Sequence, residues 1–287
     1  MTDTRRNNLK ICTVKNLPEL PVSSINIIAA VNNPDIDIEE LVALISISPV
    51  LTARLLGLAN SAYFGHVNKI TDLRTAIIRV LGLNLVKCLA LGILLNLALD
   101  TRKCPRFISE KLWMRSLVTA ILSHKLCLLL RHENLTPSTS YTAGLILNIG
   151  LVAAVHLFPE ETDQALSQAE QNSSSISEEL IRFIGYNQYE IGGLLLEHWH
   201  LPSVYQTVVK EFKNGDYVGD EVNFVAFLTI CVELAKKILA EEEQEVDDLV
   251  LQLETFGGSA KTIKPIISDI RANKDKIYLA ALSISGK

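Results

Sequence analysis

The chain reads as an all-α protein of many helices. Three observations carry that expectation. Apolar residues recur at helical spacing, capping residues stand ahead of the apolar-periodic runs, and neither an alternating strand pattern nor a Gly-rich phosphate loop interrupts them. With 48% hydrophobic residues in 287, the chain can bury a sizeable core, in one large or two modest domains.

Taken in order, residues 1–14 are a polar leader without the apolar stretch of a secretory signal, which points to a cytoplasmic protein. Leu17 to Pro21 (LPELP) makes a rigid entry to a helix over 22–31, ended by Asn32-Asn33-Pro34. Asp37 with Glu40 has capping-box spacing, and Ile38, Leu41, Val42 and Ile45 form one amphipathic face. Pro49 starts a third helix with Leu51, Leu55 and Leu58 inward, running into a tight turn at Asn60-Ser61-Ala62-Tyr63-Phe64-Gly65. Thr71 and Asp72 cap a helix over 73–80, and Gly82 allows a sharp corner into a second strongly apolar helix over 83–99.

The basic linker 101–105 divides an amino-terminal helical half, to about 104, from a second half starting at about 105. A long helix over 106–131 contains Trp113 and Arg115, and a polar loop over 132–140 ends at Ser140, a candidate cap. The stretch Tyr141 to Phe158 is almost unbroken in its hydrophobicity and reads as one central helix packed on all sides. It falls short of the roughly 20 residues a bilayer span needs, so core burial is the better reading. Asn148 within it marks a buried polar site, because an unpaired carboxamide there would cost about 1–3 kcal/mol.

Beyond it, 159–171 is a polar helix. Ser175 and Glu178 form a second capping-box spacing, and 189–199 and 202–212 are two helices broken at His200-Leu201-Pro202. Val225, Leu228, Val232, Ala235 and Leu239 mark a long amphipathic helix. Residues 214–287 make a carboxy-terminal extension packed on the core, with further helices around Gly257-Gly258. The acidic run at 241–248 reads as a solvated surface.

A net charge of −5 supplies no basic field for a polyanion, so nucleic acid is not an expected partner. Cys12, Cys88, Cys104, Cys127 and Cys231 are odd in number, far apart and without a CxxC pair, hence reduced thiols. His198 and His200 point to different helix faces, and His66, His124, His132 and His156 have no ligand spacing. His156 reads as a core imidazole with a backbone partner.

LPELP at 17–21, SPVLTARLLGLANSAYFG at 48–65 and ITDLRTAIIRVLG at 70–82 together resemble the start of the HDOD family, a helical module related to the HD phosphohydrolases. LWMRSL at 112–117, YTAGLILNIG at 141–150 and GYNQYEIGGLLLEHWHLP at 185–202 continue the resemblance, which covers about 15–213. Ser48 departs from it, since the family usually has Asp there. The resemblance implies an HD-like core from about 105 and a role as a bacterial signalling or regulatory module.

In catalytic HD relatives, His and Asp residues hold metal ions that activate water against a phosphate ester. By the resemblance, the early His is matched by Arg115, the His-Asp pair by Leu147-Asn148, a later His by Gln188 and a final His pair by Glu211-Phe212. Neutral carboxamides and a Leu supply little charge to bind a hard divalent ion, and Arg115 would repel one. Gly185-Tyr186 is followed by Asn187, so the GYP signature of cyclic-dinucleotide phosphodiesterases is absent.

The expectation is a non-catalytic module with no metal or cofactor, acting by protein–protein interaction on unidentified signalling proteins. Asn60, Ser61, Tyr63 and Phe64 form a candidate interaction turn, although the two aromatics would equally serve to pin that turn to the core. One alternative is a small-molecule or nucleotide sensor using the vacated pocket with Arg115 as anion anchor; another is a residual phosphohydrolase. Arg115, Asn148, Gln188 and Glu211 are expected to converge as a hydrogen-bonded cluster where the ancestral metal sat.

Overall fold

The computed structural model describes residues 17–33, 35–65, 68–130, 135–242 and 246–286. The polar leader, Cys12, His66 and His132 lie outside them. All regular structure among the described residues is helical.

The helix starts follow from local chemistry. Asp37 accepts from the Glu40 N–H at 2.7 Å and Asp72 from the Thr75 N–H at 2.7 Å. Ser48 accepts from the Leu51 N–H at 3.3 Å, so the serine at the departure from the family pattern still caps a helix, with Pro49 at its first position. Ser175 and Glu178 complete a reciprocal capping box. Each such cap stabilises by about 1 kcal/mol.

The chain folds into two compact units that interleave along the sequence rather than dividing near 104. The larger comprises 21–94, 109–146 and 222–286; the smaller comprises 17–20, 95–108 and 147–221.

In the larger unit the central element is Ser109–Cys127, against which Pro137–Ile146, Val222–Leu239, Ala260–Ala272 and Lys274–Ser285 all pack. It is buried over most of its surface, with Trp113 only 1% exposed. Two of its small polar residues bond to backbone: Thr119 Oγ1 donates to Arg115 O at 2.9 Å and Ser123 Oγ to Ser140 O at 2.8 Å, while Ser116 Oγ is buried without a partner. A Cβ on Gly144 would lie 2.9 Å from Ala120 Cα, so glycine is what lets those two helices approach.

The last two helices bury Ile263, Ile267 and Ile270, then Ile277, Ala280, Ala281 and Ile284, each set at helical spacing. Arg54 Nη1 donates to Ile284 O at 2.7 Å, satisfying a carbonyl at the end of the final helix.

Several expected boundaries change. The 141–158 stretch is not one central helix: Pro137–Ile146 belongs to the larger unit and Ile149–Leu157 to the smaller, with Leu147 and Asn148 forming the break. Asn148 is a poor helix former, and its carbonyl accepts from the Leu151 N–H in a tighter turn at 3.0 Å. Pro137–Leu157 as a whole is long and apolar enough to cross a membrane, but 78% of its most apolar window is buried inside the protein.

Ser140 lies inside the Pro137–Ile146 helix, and Thr136 takes the capping place, accepting from the Thr139 N–H at 3.1 Å. The long helix expected over 106–131 is Ser109–Cys127. Pro202 precedes Ser203–Glu211 as its N-cap rather than opening it. The 73–80 helix is α-helical only over Leu73–Ala76. Ile77–Leu81 forms a π-turn closed by Gly82 N–H donating to Ile77 O at 2.8 Å. Gly82, at φ +79°, then turns the chain through 118° into Leu83–Leu97. A side chain there would be strained by the backbone conformation alone.

In the smaller unit, Ile149–Leu157 packs on Gln188–His198, which packs on Ser203–Glu211, while Pro159–Asn172 pairs with Ile176–Phe183. His156 has the expected backbone partner: its Nδ1 accepts from the Asp100 N–H at 2.9 Å, which assigns the ring proton to Nε2 when neutral. Asp163 accepts from the Arg106 N–H at 3.0 Å and pairs with its guanidinium, and these bonds hold the carboxyl below the usual carboxylate range.

Candidate functional site

Two places in the molecule merit comparison, one in each unit. The first, in the smaller unit, is where the resemblance puts the ligands of the HD metal site. Gln188 opens the Gln188–His198 helix and is buried at 3% exposure. That helix begins where it does because Asn187 Oδ1 accepts from the N–H groups of Tyr189 and Glu190, both at 2.9 Å. Glu190 returns a bond from the Asn187 N–H, also at 2.9 Å. The residue standing where a GYP protein has proline is thus a helix cap.

The helices at this place are pressed together. A Cβ on Gly150 would collide with Gln188 O and lie 2.7 Å from Gly192 Cα, and one on Gly192 would lie 2.8 Å from Val209 Cγ1. Backbone meets backbone at Gly150 and Gly192, and Val209 closes over the crossing. Tyr189 and Phe212 stack nearby with ring centroids 4.8 Å apart.

The hydrogen-bonded cluster expected here does not form within this unit. Gln188 Oε1 has no hydrogen-bond partner, and Glu211 turns to Asn214 at 2.7 Å and Lys210 at 3.9 Å. Asn148 is partly buried and Leu147 fully so. Arg115 belongs to the larger unit, where its side chain is exposed. The reason is local: Glu211 lies in the last turn of its helix beside polar neighbours, and Arg115 sits on the open face of an otherwise buried helix.

Leu147, Asn148 and Gln188 contribute no carboxylate and no imidazole, so the donor set does not fit a hard divalent ion. Among the described residues no three His, Cys, Asp or Glu side chains gather into a metal cage.

The second place is a cavity of about 420 Å³ in the larger unit. Its walls come from the 60–65 turn (Tyr63, Phe64), the corner at Gly82, the Ser109–Cys127 helix (His124, Lys125) and the Pro137–Ile146 helix (Tyr141). Asn60 fixes the turn: its Nδ2 donates to Leu56 O and Ile70 O, and its Oδ1 accepts from the Ile70 N–H, all at 2.8 Å. Tyr63 and Phe64 meet edge to face with centroids 5.0 Å apart and are half-buried. Ser61 Oγ is buried without a partner.

The expected interaction turn is therefore partly a cavity wall. Burial, with Asp269 second, pushes the Tyr63 phenol up to about 12, and burial raises Tyr141 well above its ordinary value. Lys125 Nζ is paired with Asp269 at 2.6 Å.

Sequence reasoning found the turn and the Gly82 corner but not His124, Lys125 or Tyr141. Nothing local singles those three out; the tertiary packing of three distant segments brings them together.

These features describe an all-helical module of the kind the sequence motifs resemble, and comparison with known proteins makes the kind definite. The HDOD domain profile matches residues 17–214, and the chain belongs to the HDOD family. A relative, an uncharacterized protein of Treponema pallidum (strain Nichols), is 29% identical over 229 residues. The match covers 76% of this chain and 42% of that protein, so the chain spans less than half the relative's length.

Solved structures share the fold. A protein of Shewanella amazonensis SB2B, provisionally labelled a phosphohydrolase, has a TM-score of 0.78 at 20% identity, covering 96% of this chain and 98% of its own. One from Marinobacter aquaeolei VT8, provisionally labelled a signal transduction protein, has 0.79 at 22% identity, covering 99% and 67%. An HDOD domain protein of unknown function from Geobacter sulfurreducens has 0.76 at 21% identity, covering 99% of each. At these identities the likeness establishes the fold alone.

Proposed function

We propose that this HDOD chain is a non-catalytic, cytoplasmic regulatory module that acts in signal transduction by binding another protein. The observation that carries the reading is the donor set at the HD-type positions: Leu147, Asn148 and Gln188 stand where a metal would need anionic or imidazole ligands. The helices carrying Gln188 and Gly150 are also packed backbone to backbone, which leaves that part of the smaller unit closed.

A protein-binding role is supported by the first helices of the larger unit. Val22, Ile25, Ile47 and Val50 on and between those helices are 50–73% exposed, apolar side chains that a partner could cover. The provisional label of the Marinobacter aquaeolei neighbour, signal transduction protein, agrees with the reading.

The test is retention of a partner from extract of the native cells by the wild-type chain and by the Ile25→Asp/Val50→Asp variant, alongside elemental analysis and a phosphodiester turnover assay. A partner held by the wild type and lost by the folded variant supports the reading. Stoichiometric divalent metal together with metal-dependent turnover overturns it.

A further inference from the structure

We propose that Asn214 is a site of spontaneous covalent modification: its carboxamide is lost as ammonia through a cyclic imide formed with Gly215, leaving a carboxylate that repels Glu211. This goes beyond the protein-binding role and does not depend on it.

Asn214-Gly215 is the one Asn-Gly pair in the sequence. Both residues are exposed, in the turn that follows the Ser203–Glu211 helix. The nucleophile in such a step is the backbone nitrogen of the following residue, which must be unhindered and uncommitted. Glycine at 215 puts no side chain in its way. The Gly215 N–H donates no hydrogen bond among the described residues, whereas its neighbours do. Asn214 N–H donates to Glu211 O at 2.9 Å, Asp216 N–H to Asn214 Oδ1 at 3.2 Å and Tyr217 N–H to Asn214 O at 3.2 Å.

Asn60 supplies the contrast. It too is exposed and precedes a small residue, but the Ser61 N–H is committed to Leu58 O at 3.0 Å. Its carboxamide is also held at both ends, by Leu56 O and by the Ile70 backbone, at 2.8 Å.

At Asn214 the Asp216 N–H already meets the oxygen that takes up negative charge when the Gly215 nitrogen adds to Cγ, so the charge develops against a donor in place. The Gly215 nitrogen loses its proton and bonds to Cγ. The Cγ–Nδ2 bond then breaks, and the nitrogen leaves with the electron pair and takes a proton to become ammonia. Water opens the five-membered imide at either carbonyl, giving aspartate or isoaspartate, with no oxidant or reductant involved.

The product changes the turn. Asn214 Nδ2 now donates to Glu211 Oε2 at 2.7 Å. A carboxylate in its place has no proton to donate, so a hydrogen bond becomes a like-charge contact. Lys210 reaches only the other oxygen, Oε1, at 3.9 Å and is 60% exposed, so solvent screens what it could offset.

The full chain is incubated in mildly acidic and mildly alkaline buffer made with isotopically labelled water, then mapped as peptides by mass spectrometry. The Asn214 peptide is expected to gain about one dalton before the label is counted, to carry that label, and to appear as both aspartate and isoaspartate, faster in alkali, while Asn60 stays intact. Gly215→Ala should slow the conversion about tenfold or more. It should do so at unchanged Tm, since a Cβ at 215 meets nothing within 4 Å and its φ is not left-handed.

Asn214→Asp reproduces the product's charge and should speed chymotryptic cleavage after the half-buried Tyr217 about threefold or more, by opening the turn. Asn214 that stays intact, conversion to aspartate without isoaspartate, a rate that Gly215→Ala leaves unchanged, or Asn214→Asp cleaved no faster than wild type would each overturn the proposal.

Discussion

The two compact units each bury a polar atom without a partner, but they pack differently around it. In the smaller, Gln188 Oε1 is left without a partner in a place packed shut by Gly150 and Gly192. In the larger, the Tyr141 hydroxyl is equally buried and without a partner, although its residue is one of those lining a cavity of about 420 Å³. A polar atom sealed in by neighbouring backbone is a remnant that packing tolerates. The location to which family resemblance directs attention is thus the closed one.

The comparison can be broken most forcefully at Gly150. Gly150→Val would drive a branched side chain into Gln188 O and the Gly192 backbone, and should destabilise the chain by about 4 kcal/mol or more, read as the urea midpoint. Tolerance of valine would mean that the smaller unit is not closed there. A lesser effect is expected in the larger unit, where Asn60→Ala removes three hydrogen bonds holding the cavity's turn and should cost about 2 kcal/mol in the same measurement.

Asn187→Ala should cost about 1 kcal/mol by thermal denaturation, since Asn187 caps a helix. Gln188→Met should stay within about 1 kcal/mol of wild type or be stabilising, because it removes a buried oxygen that nothing satisfies. A large loss would show that the carboxamide does more than fill space.

The smallest effect is confined to alkaline solution. The Tyr63 phenol is raised from 10.0 to about 12 in the folded chain. Its contribution to stability is therefore fully present below pH 10 and is lost as pH rises from there through about 12. Absorbance at 295 nm should show Tyr63→Phe removing a late-ionising phenol, and an unchanged titration would contradict the half-buried turn.

Much of this was legible in the sequence, for reasons that can be named. Capping by Asp37, Asp72 and Ser175 is decided within four residues, so spacing alone reveals it. His156 on an apolar face required a backbone partner and has one.

The break at Leu147–Asn148 was hidden because hydrophobicity continues across it while the two halves bury their surfaces in different units. Ser109–Cys127 was not read as central because Ser116, Thr119 and Ser123 dilute its pattern, although each is buried. The expected cluster rested on aligned positions, and alignment carries no information about which way Arg115 or Glu211 turns.

One feature of the larger unit bears on how the protein can be divided. The family match ends at residue 214, yet Val222–Leu239, Ala260–Ala272 and Lys274–Ser285 all lie against Ser109–Cys127 within that match. A fragment trimmed to the recognised domain would strip that helix of part of its cover and expose apolar surface to solvent, inviting aggregation. The inherited boundary is one of ancestry; the cooperative folding unit extends to the final helix.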